Sequence, residues 1–385
     1  MTDRDKVEEF LLKELAHVSP FNPDKDYQKV NRYKNGNFGV SSLAFSLYSN
    51  GNNPRGSSSF HKYGLIYEDG NSIFSISFFK KKEDDKDGYL FIVAPTGSGI
   101  VDKVSVFIKR VFSNKELPIR GAYLRYLDLN LYIELIKKGY LPAKEYPFCS
   151  ESPEEDETFN NCLVRIDDVV VLDGKEKKVN KIHLLEGDSS KKVKYAYARF
   201  RNFLQRNNIK YRLESLTNKN SAQALDVITS HFDMLTRQGK RAGSSIEDHV
   251  NSISSKILKN GACIGFLGFL GKFPVSVFVG ESISSDTFAL YTPFTLRDES
   301  ILNNLTGGVW NADERIGLSA MPTFAYVELF SLLKQKGYDY VNLGGSEFSD
   351  LNKFKRQLGG ALKPTYWVYQ SRALHTKSNT AAVLL

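Results

Sequence analysis

Near the C-terminus, Gly344-Gly345-Ser346-Glu347 is followed by Asp350 and the pair Lys355-Arg356. Two glycines present bare backbone, Ser346 or Ser349 can cap a helix, and Asp350 suits its first turn. Unpaired N–H groups at a helix start beside two cations suit an anionic ligand. The same residues also describe an αβα surface turn with a solvated basic helix.

A second anion candidate is Pro95-Thr96-Gly97-Ser98-Gly99, where Gly97 and Gly99 would offer backbone N–H groups between a strand and a helix. It lacks the GK[ST] of a phosphate-binding P-loop. The net charge of +8 is concentrated: from Lys175 to Lys219 there are 13 Lys and Arg against Glu176, Glu186, Asp188 and Glu214. Such a field raises the encounter rate with polyanions. Arg199, Arg201 and Arg206 lie within this segment. Other chemistry is disfavoured. His61, His183, His231 and His249 show no metal spacing, and Cys149, Cys162 and Cys263 form no CxxC pair, so no metal site is expected. Ser98 lacks a G-x-S-x-G elbow. Tyr291 and Phe294, at a strand end, are both candidates for lining an acceptor pocket, with core packing the weightier reading.

The elements that would position these residues follow from periodicity. The first half reads as an amphipathic helix from Asp5, strand-like alternation from Asn35, and a hairpin around Glu68-Asp69-Gly70-Asn71. A third strand from Gly88, a helix from Val101 and a strand from Ile119 come next. A helix from Asp128 and a strand from Asn161 complete it. The second half has a basic helix Ser189–Asn207, a strand from Lys210, and helices Ser221–Arg237 and Ser245–Leu258. Three hairpin-ordered strands from Ala262 lead to an irregular Asn- and Gly-containing loop, Glu299–Gly317. A helix from Met321, a strand to Leu343, the Lys355 helix and a strand from Thr365 close the order. The expected division is 1–175, 176–375 and a disordered tail, 376–385. Sparse cysteine and a charged N-terminal helix favour a reducing cytoplasm. No run approaches the ~20 apolar residues of a membrane-spanning helix.

This order, repeated once, resembles two tandem GNAT-like acyltransferase domains, an α/β class with mixed sheets. The pair is similar to Fem-type proteins and to the DUF2156 domain of phosphatidylglycerol lysyltransferases. Three stretches carry the resemblance: the strand, Gly-Gly and Leu351-x-x-Phe354-Lys355-x-x-x-Gly359 ending; the basic helix around Ala198–Asn208; and the Pro-Gly turn Val93–Gly99. The resemblance implies transfer of an aminoacyl group from charged tRNA to an amine or hydroxyl acceptor, whether small molecule, peptide, lipid head group or cell-wall precursor. It implies no cofactor beyond the donor. Lys355 would stabilise the charge that builds on the carbonyl and leaving oxygens. Arg356 or the Gly345 N–H would assist at the terminal phosphate. Glu347, Asp350 and Asp339 are the candidate bases. Gly344, Gly345, Ser346, Arg356 and Tyr291 would bind substrate, and Arg199, Arg201 and Arg206 would hold the acceptor stem. Two alternatives remain: an acyl-CoA-dependent N-acyltransferase, with Gly97 and Gly99 at the cofactor, and a non-catalytic RNA-binding protein. Neither half shows the Q/R-x-x-G-x-G/A pyrophosphate loop, which weighs against acyl-CoA.

Overall fold

The computed structural model describes residues 2–49, 64–80, 84–143, 160–173, 176–179, 189–239, 246, 249–250, 253, 263–297, 299–308, 310, 312–346 and 349–373. They form two units, Met1–Phe159 with Pro364–Leu385, and Asn160–Lys363.

In the first unit, Asp3–Glu14 (α1) starts on a capping box between Thr2 and Asp5. Val18–Pro20 (β1), Leu65–Glu68 (β2), Ser72–Phe79 (β3) and Gly88–Gly97 (β4) then pair antiparallel in order. The β2–β3 turn is built as the sequence predicts. Asp69 Oδ1 accepts the N–H of Asn71 and of Ser72, and Gly70 takes a left-handed φ of 89°. Ile100–Ser113 (α4) crosses over to Ile119–Leu127 (β5), which runs parallel to β4. Its apolar stripe, including Val104, Phe107, Ile108 and Val111, packs on the sheet with Val7 and Leu11 of α1. Leu129–Lys137 (α5) begins at Asp128, whose side chain accepts from Leu131 N at 2.8 Å.

Three features depart from expectation here. Pro23–Asn31 (α2), capped by Asn22, was not anticipated. Ser42–Ser49 (α3) is a helix where alternation from Asn35 suggested a strand. Leu43, Ala44, Phe45 and Leu47 are all buried, and periodicity does not separate a buried helix from a buried strand. Finally, the strand from Asn161 does not complete this sheet, and Leu141–Pro142 (β6), which was not anticipated, stands at its edge. Tyr366–Ser371 (β16), from the far end of the chain, lies between β5 and β6.

The second unit repeats the plan. Tyr211–Ser215 (β10), Ile264–Leu270 (β11), Phe273–Ser282 (β12) and Thr287–Thr295 (β13) are antiparallel neighbours. Tyr340–Asn342 (β14) runs parallel to β13. Next to it lies a strand from across the chain's midpoint, Asn160–Arg165 (β7), and then Gly360–Pro364 (β15). Val170–Asp173 (β8) and Glu176–Val179 (β9) form a separate hairpin.

The helices of this unit are Ser189–Arg206 (α6), Ser221–Arg237 (α7), Glu299–Thr306 (α8), Ala312–Ser319 (α9), Met321–Gln335 (α10) and Ser349–Gln357 (α11). Two of them, α8 and α9, replace the irregular loop expected over 299–317. Buried Ile301, Leu302 and Leu318 provide the packing that outweighs the Asn and Gly residues. Most of the helix expected over 245–258, the acidic loop 151–157 and the tail 376–385 lie outside the described residues.

Both sheets therefore open with three antiparallel pairings, followed by a parallel pair in fourth and fifth place and an imported strand in sixth. This import moves the division away from 175/176, because β7 joins the second unit and β16 the first.

Candidate active site

In the second unit the parallel pairing of β13 and β14 lasts only from Thr287↔Tyr340 to Ala289↔Asn342. Beyond it the chain turns at Gly344, whose φ of 67° favours glycine. The turn is held by Asn342 Oδ1, which accepts the Gly344 N–H at 2.9 Å, and by the Gly344 carbonyl, which accepts from Cys162 N at 3.0 Å. Helix α11 then brings Lys355 back to the strand end. Its ammonium donates to the Gly344 carbonyl at 3.5 Å and to the Gly345 carbonyl. Lys355 is 6% exposed. Phe354 meets Tyr326 of α10 edge to face, with centroids 5.4 Å apart, and anchors the helix. Gly360 is required at its far side, since a Cβ there would overlap the Cys162 sulfur.

The corner is rich in buried polar atoms. Ser346 is 1% exposed and Asn161 3%, and Asn352 is also buried, one turn before Lys355 on α11. Ser346 Oγ and the amide oxygens of Asn161 and Asn352 have no hydrogen-bond partner among the described residues. Such atoms are costly in a packed interior and are commonly kept where a ligand or water uses them. Cys162 is no nucleophile: burial pushes its thiol up to about 11 although Lys355 and Arg356 act in the other direction.

The sequence-predicted residues fare differently. Gly344, Gly345, Ser346 and Lys355 come together as expected. Arg356 is exposed on α11. Asp350 is exposed and lies 3.7 Å from Lys353, a poor position for a base acting beside buried Lys355. Asp339 stands at the opposite end of β14 from Gly344 and is ion-paired to Lys334 at 2.6 Å. Glu347 lies outside the described residues. Tyr291 is buried in β13, two residues past the last parallel pair.

Sequence reasoning passed over Glu281. It is 0% exposed and the only buried carboxylate among the described residues of this unit. Register places it opposite Ala289, which in turn pairs with Asn342, so Glu281 lies in the sheet row where the parallel pair parts. Its signal was a single acidic residue in the apolar strand Phe273–Ser282.

Arg199, Arg201 and Arg206 sit on α6, which packs against both α10 and α11. Tyr197 stacks on Phe324 of α10 at 4.8 Å, Phe200 meets the same ring at a tilt at 4.9 Å, and the Tyr197 hydroxyl donates to Glu328 at 2.9 Å. This fixes the helix with Lys191, Lys192, Lys194, Arg201 and Arg206 exposed. α6 carries no acidic residue.

Gly97 and Gly99 belong to the first unit, with φ values of 120° and 66°. They line a cavity of about 430 Å³ together with Asp102, Asp128 and Glu134. Three carboxylates oppose a pyrophosphate there. Among the described residues no cluster of three or more His, Cys, Asp or Glu is placed to hold a metal. No described helix is long and apolar enough to cross a membrane.

No family model and no curated protein matches the sequence. Solved structures do. A protein of unknown function from Bacteroides thetaiotaomicron VPI-5482 is 12% identical over 91% of this chain and 98% of its own, with a TM-score of 0.61. FemX is 10% identical over 92% of this chain and 97% of its own, with a TM-score of 0.55. A DUF2156 domain from Agrobacterium fabrum gives 13% identity and a TM-score of 0.48 over 83% of this chain and 89% of its own. At such identities the likeness is one of fold. The fold is two GNAT-like domains in tandem, of mixed α/β class and Fem-like in type.

Proposed function

We propose that the chain transfers an aminoacyl group from aminoacyl-tRNA to an amine or hydroxyl acceptor. One observation carries this reading: the acid-free basic helix α6 packs on α11, the helix that delivers buried Lys355 to the strand end. A polyanion bound along α6 would have its end at a buried cation.

In the reaction an acceptor nitrogen or oxygen attacks the ester carbonyl. The bond to the tRNA 3′ oxygen breaks, that oxygen takes a proton, and the attacking group loses one. Negative charge moves from carbonyl oxygen to leaving oxygen, and Lys355 stabilises it at both stages. The carbonyls of Gly344 and Gly345 hold the ammonium at the gap, which limits reorganisation. Ser346, Asn161 and Asn352 have polar atoms to orient the aminoacyl ester or the acceptor. Glu281, from its row in the sheet, is the carboxylate we assign to proton removal. The acidic lining at Gly97 and Gly99 weighs against the acyl-CoA alternative.

The test uses tRNA charged with labelled amino acids, with soluble-metabolite, peptide and lipid fractions offered as acceptors. Label passing into an RNase-resistant product, and lost with Lys355→Met, supports the reading. Acyl transfer from acetyl-CoA that is insensitive to RNase overturns it.

A further inference from the structure

We infer that Tyr195 and Arg199 on α6 form a stacking platform for an unpaired base, so that α6 recognises a single-stranded RNA end and not phosphates alone. The inference rests on the tRNA reading above and adds a contact to it. Tyr195 is 63% exposed, although α6 buries Val193, Tyr197, Phe200, Phe203 and Leu204 on its other face. The Arg199 guanidinium lies over its ring, 4.3 Å from the centroid. A cation on the ring holds the side chain in one orientation and extends the flat surface with a second plane.

What covers this ring follows from the charge around it. α6 holds six Lys and Arg and no carboxylate, where an ordinary solvated helix mixes signs. Its neighbour α11 adds Lys353 and Arg356 against one exposed carboxylate, Asp350. The complementary partner is a polyanion. A duplex interior has its bases already stacked on each other, whereas an unpaired end has free base faces for an aromatic ring and a guanidinium. An exposed Tyr–Arg pair on a helix with six cations and no carboxylate therefore suits a nucleic acid with a single-stranded terminus better than a uniform polyanion.

The test is fluorescence anisotropy of the full chain with two labelled RNA hairpins of equal duplex length, one blunt and one with a short unpaired 3′ end. The wild type should prefer the overhang by about 5- to 100-fold, the scale of one stacked base. Tyr195→Ala should abolish that preference and leave the salt dependence of blunt-hairpin binding unchanged. Tyr195→Trp should retain the preference. Lys191→Glu with Lys192→Glu should weaken both probes alike and flatten their salt dependence. Equal binding of both hairpins by the wild type, or a preference that survives Tyr195→Ala, overturns the platform and leaves the tRNA reading standing. Failure to bind either hairpin at low salt removes both.

Discussion

Lys355→Met separates a catalytic lysine from a structural one, because the two roles give opposite patterns. Methionine keeps the length of the buried stem and removes the charge. The folding cost is small for a structural reason. Gly344 O keeps its bond from Cys162 N, so the Gly345 carbonyl is the one that loses the lysine donor, and Gly345 is only half-buried. That loss is worth about 1–2 kcal/mol. Against it stands relief from burying an ammonium, an effect of a few kcal/mol and opposite sign. The net change in stability should lie within about 2 kcal/mol, a shift of ~4–8 °C at most in Tm for a unit of this size. Transfer should fall far more. Removing one pre-positioned group that faces the developing oxyanion costs about 10²- to 10³-fold, or roughly 3–4 kcal/mol of barrier. Single-turnover transfer of labelled aminoacyl groups and thermal unfolding of the same preparation measure the two sides. Intact transfer together with a stability loss above ~3 kcal/mol would make Lys355 a clamp of the β14–α11 corner and refute the assignment.

Three further outcomes are expected. Glu281→Gln should lower transfer to an amine by about 10²-fold, with Tm little changed; unaltered transfer excludes Glu281 as the base. Residues 1–159 expressed alone should fail to unfold cooperatively, because the sheet lacks β16 between β5 and β6. Joining 364–385 after Ala143, whose N–H already bonds Trp367 O at 3.1 Å, should restore a cooperative transition in calorimetry. The last outcome concerns His249, which burial, with His231 nearby, holds at about 3, well below its ordinary 6.5. The unfolded chain takes the proton first as pH falls, so stability should drop from about pH 6.5 towards 3, at up to ~1.4 kcal/mol per unit. His249→Gln should shrink the pH 7 to pH 5 difference by about 2 kcal/mol in denaturant titrations, and an unchanged difference would place the proton elsewhere.

Local signals carried most of what was legible in the sequence. The turn at Asp69-Gly70, the crossover helix α4 and the helix Ser221–Arg237 follow from turn chemistry and apolar spacing. The strand, glycine turn and helix that deliver Lys355 were also readable, since each step has its own residue preference. The imported strands were not. β7 pairs with β14 across the gap from Arg165 to Tyr340, and nothing in either strand's pattern names its partner. Glu281 and Asn161 were hidden for the same reason. Glu281 is the one acidic residue of β12 and Asn161 one of two adjacent asparagines that open β7, and the place of each beside the gap depends on register with distant strands. The helices over 299–319 were obscured by Asn303, Asn304, Gly307 and Gly308, whose low propensity is offset by burial.

The repeat offers two topologically equivalent gaps, one where each parallel pair parts, and their charges differ in sign. In the first unit, pairing of β4 with β5 runs to Val93↔Arg125, and the chain beyond it meets Asp102, Asp128 and Glu134. In the second, pairing ends at Ala289↔Asn342, and the chain beyond it meets Lys355, with Lys353 and Arg356 on the same helix. Hydrogen-bond donors at a glycine turn are common to both, so backbone alone would not choose between them for an anionic donor. The side chains choose. A unit charge at 4 Å is worth ~1 kcal/mol in water and about 4 kcal/mol at the effective dielectric of a protein surface. The carboxylates at the first gap, Asp102 paired to Lys138 among them, therefore disfavour phosphate relative to the second gap, where the cations outnumber Glu281. On the function proposed above, an RNA-borne acyl group is expected at the second gap on that ground. A donor that instead bound at Gly97 and Gly99 would have to show affinity that rises on Asp102→Asn and Asp128→Asn, and is indifferent to charge reversal on α6.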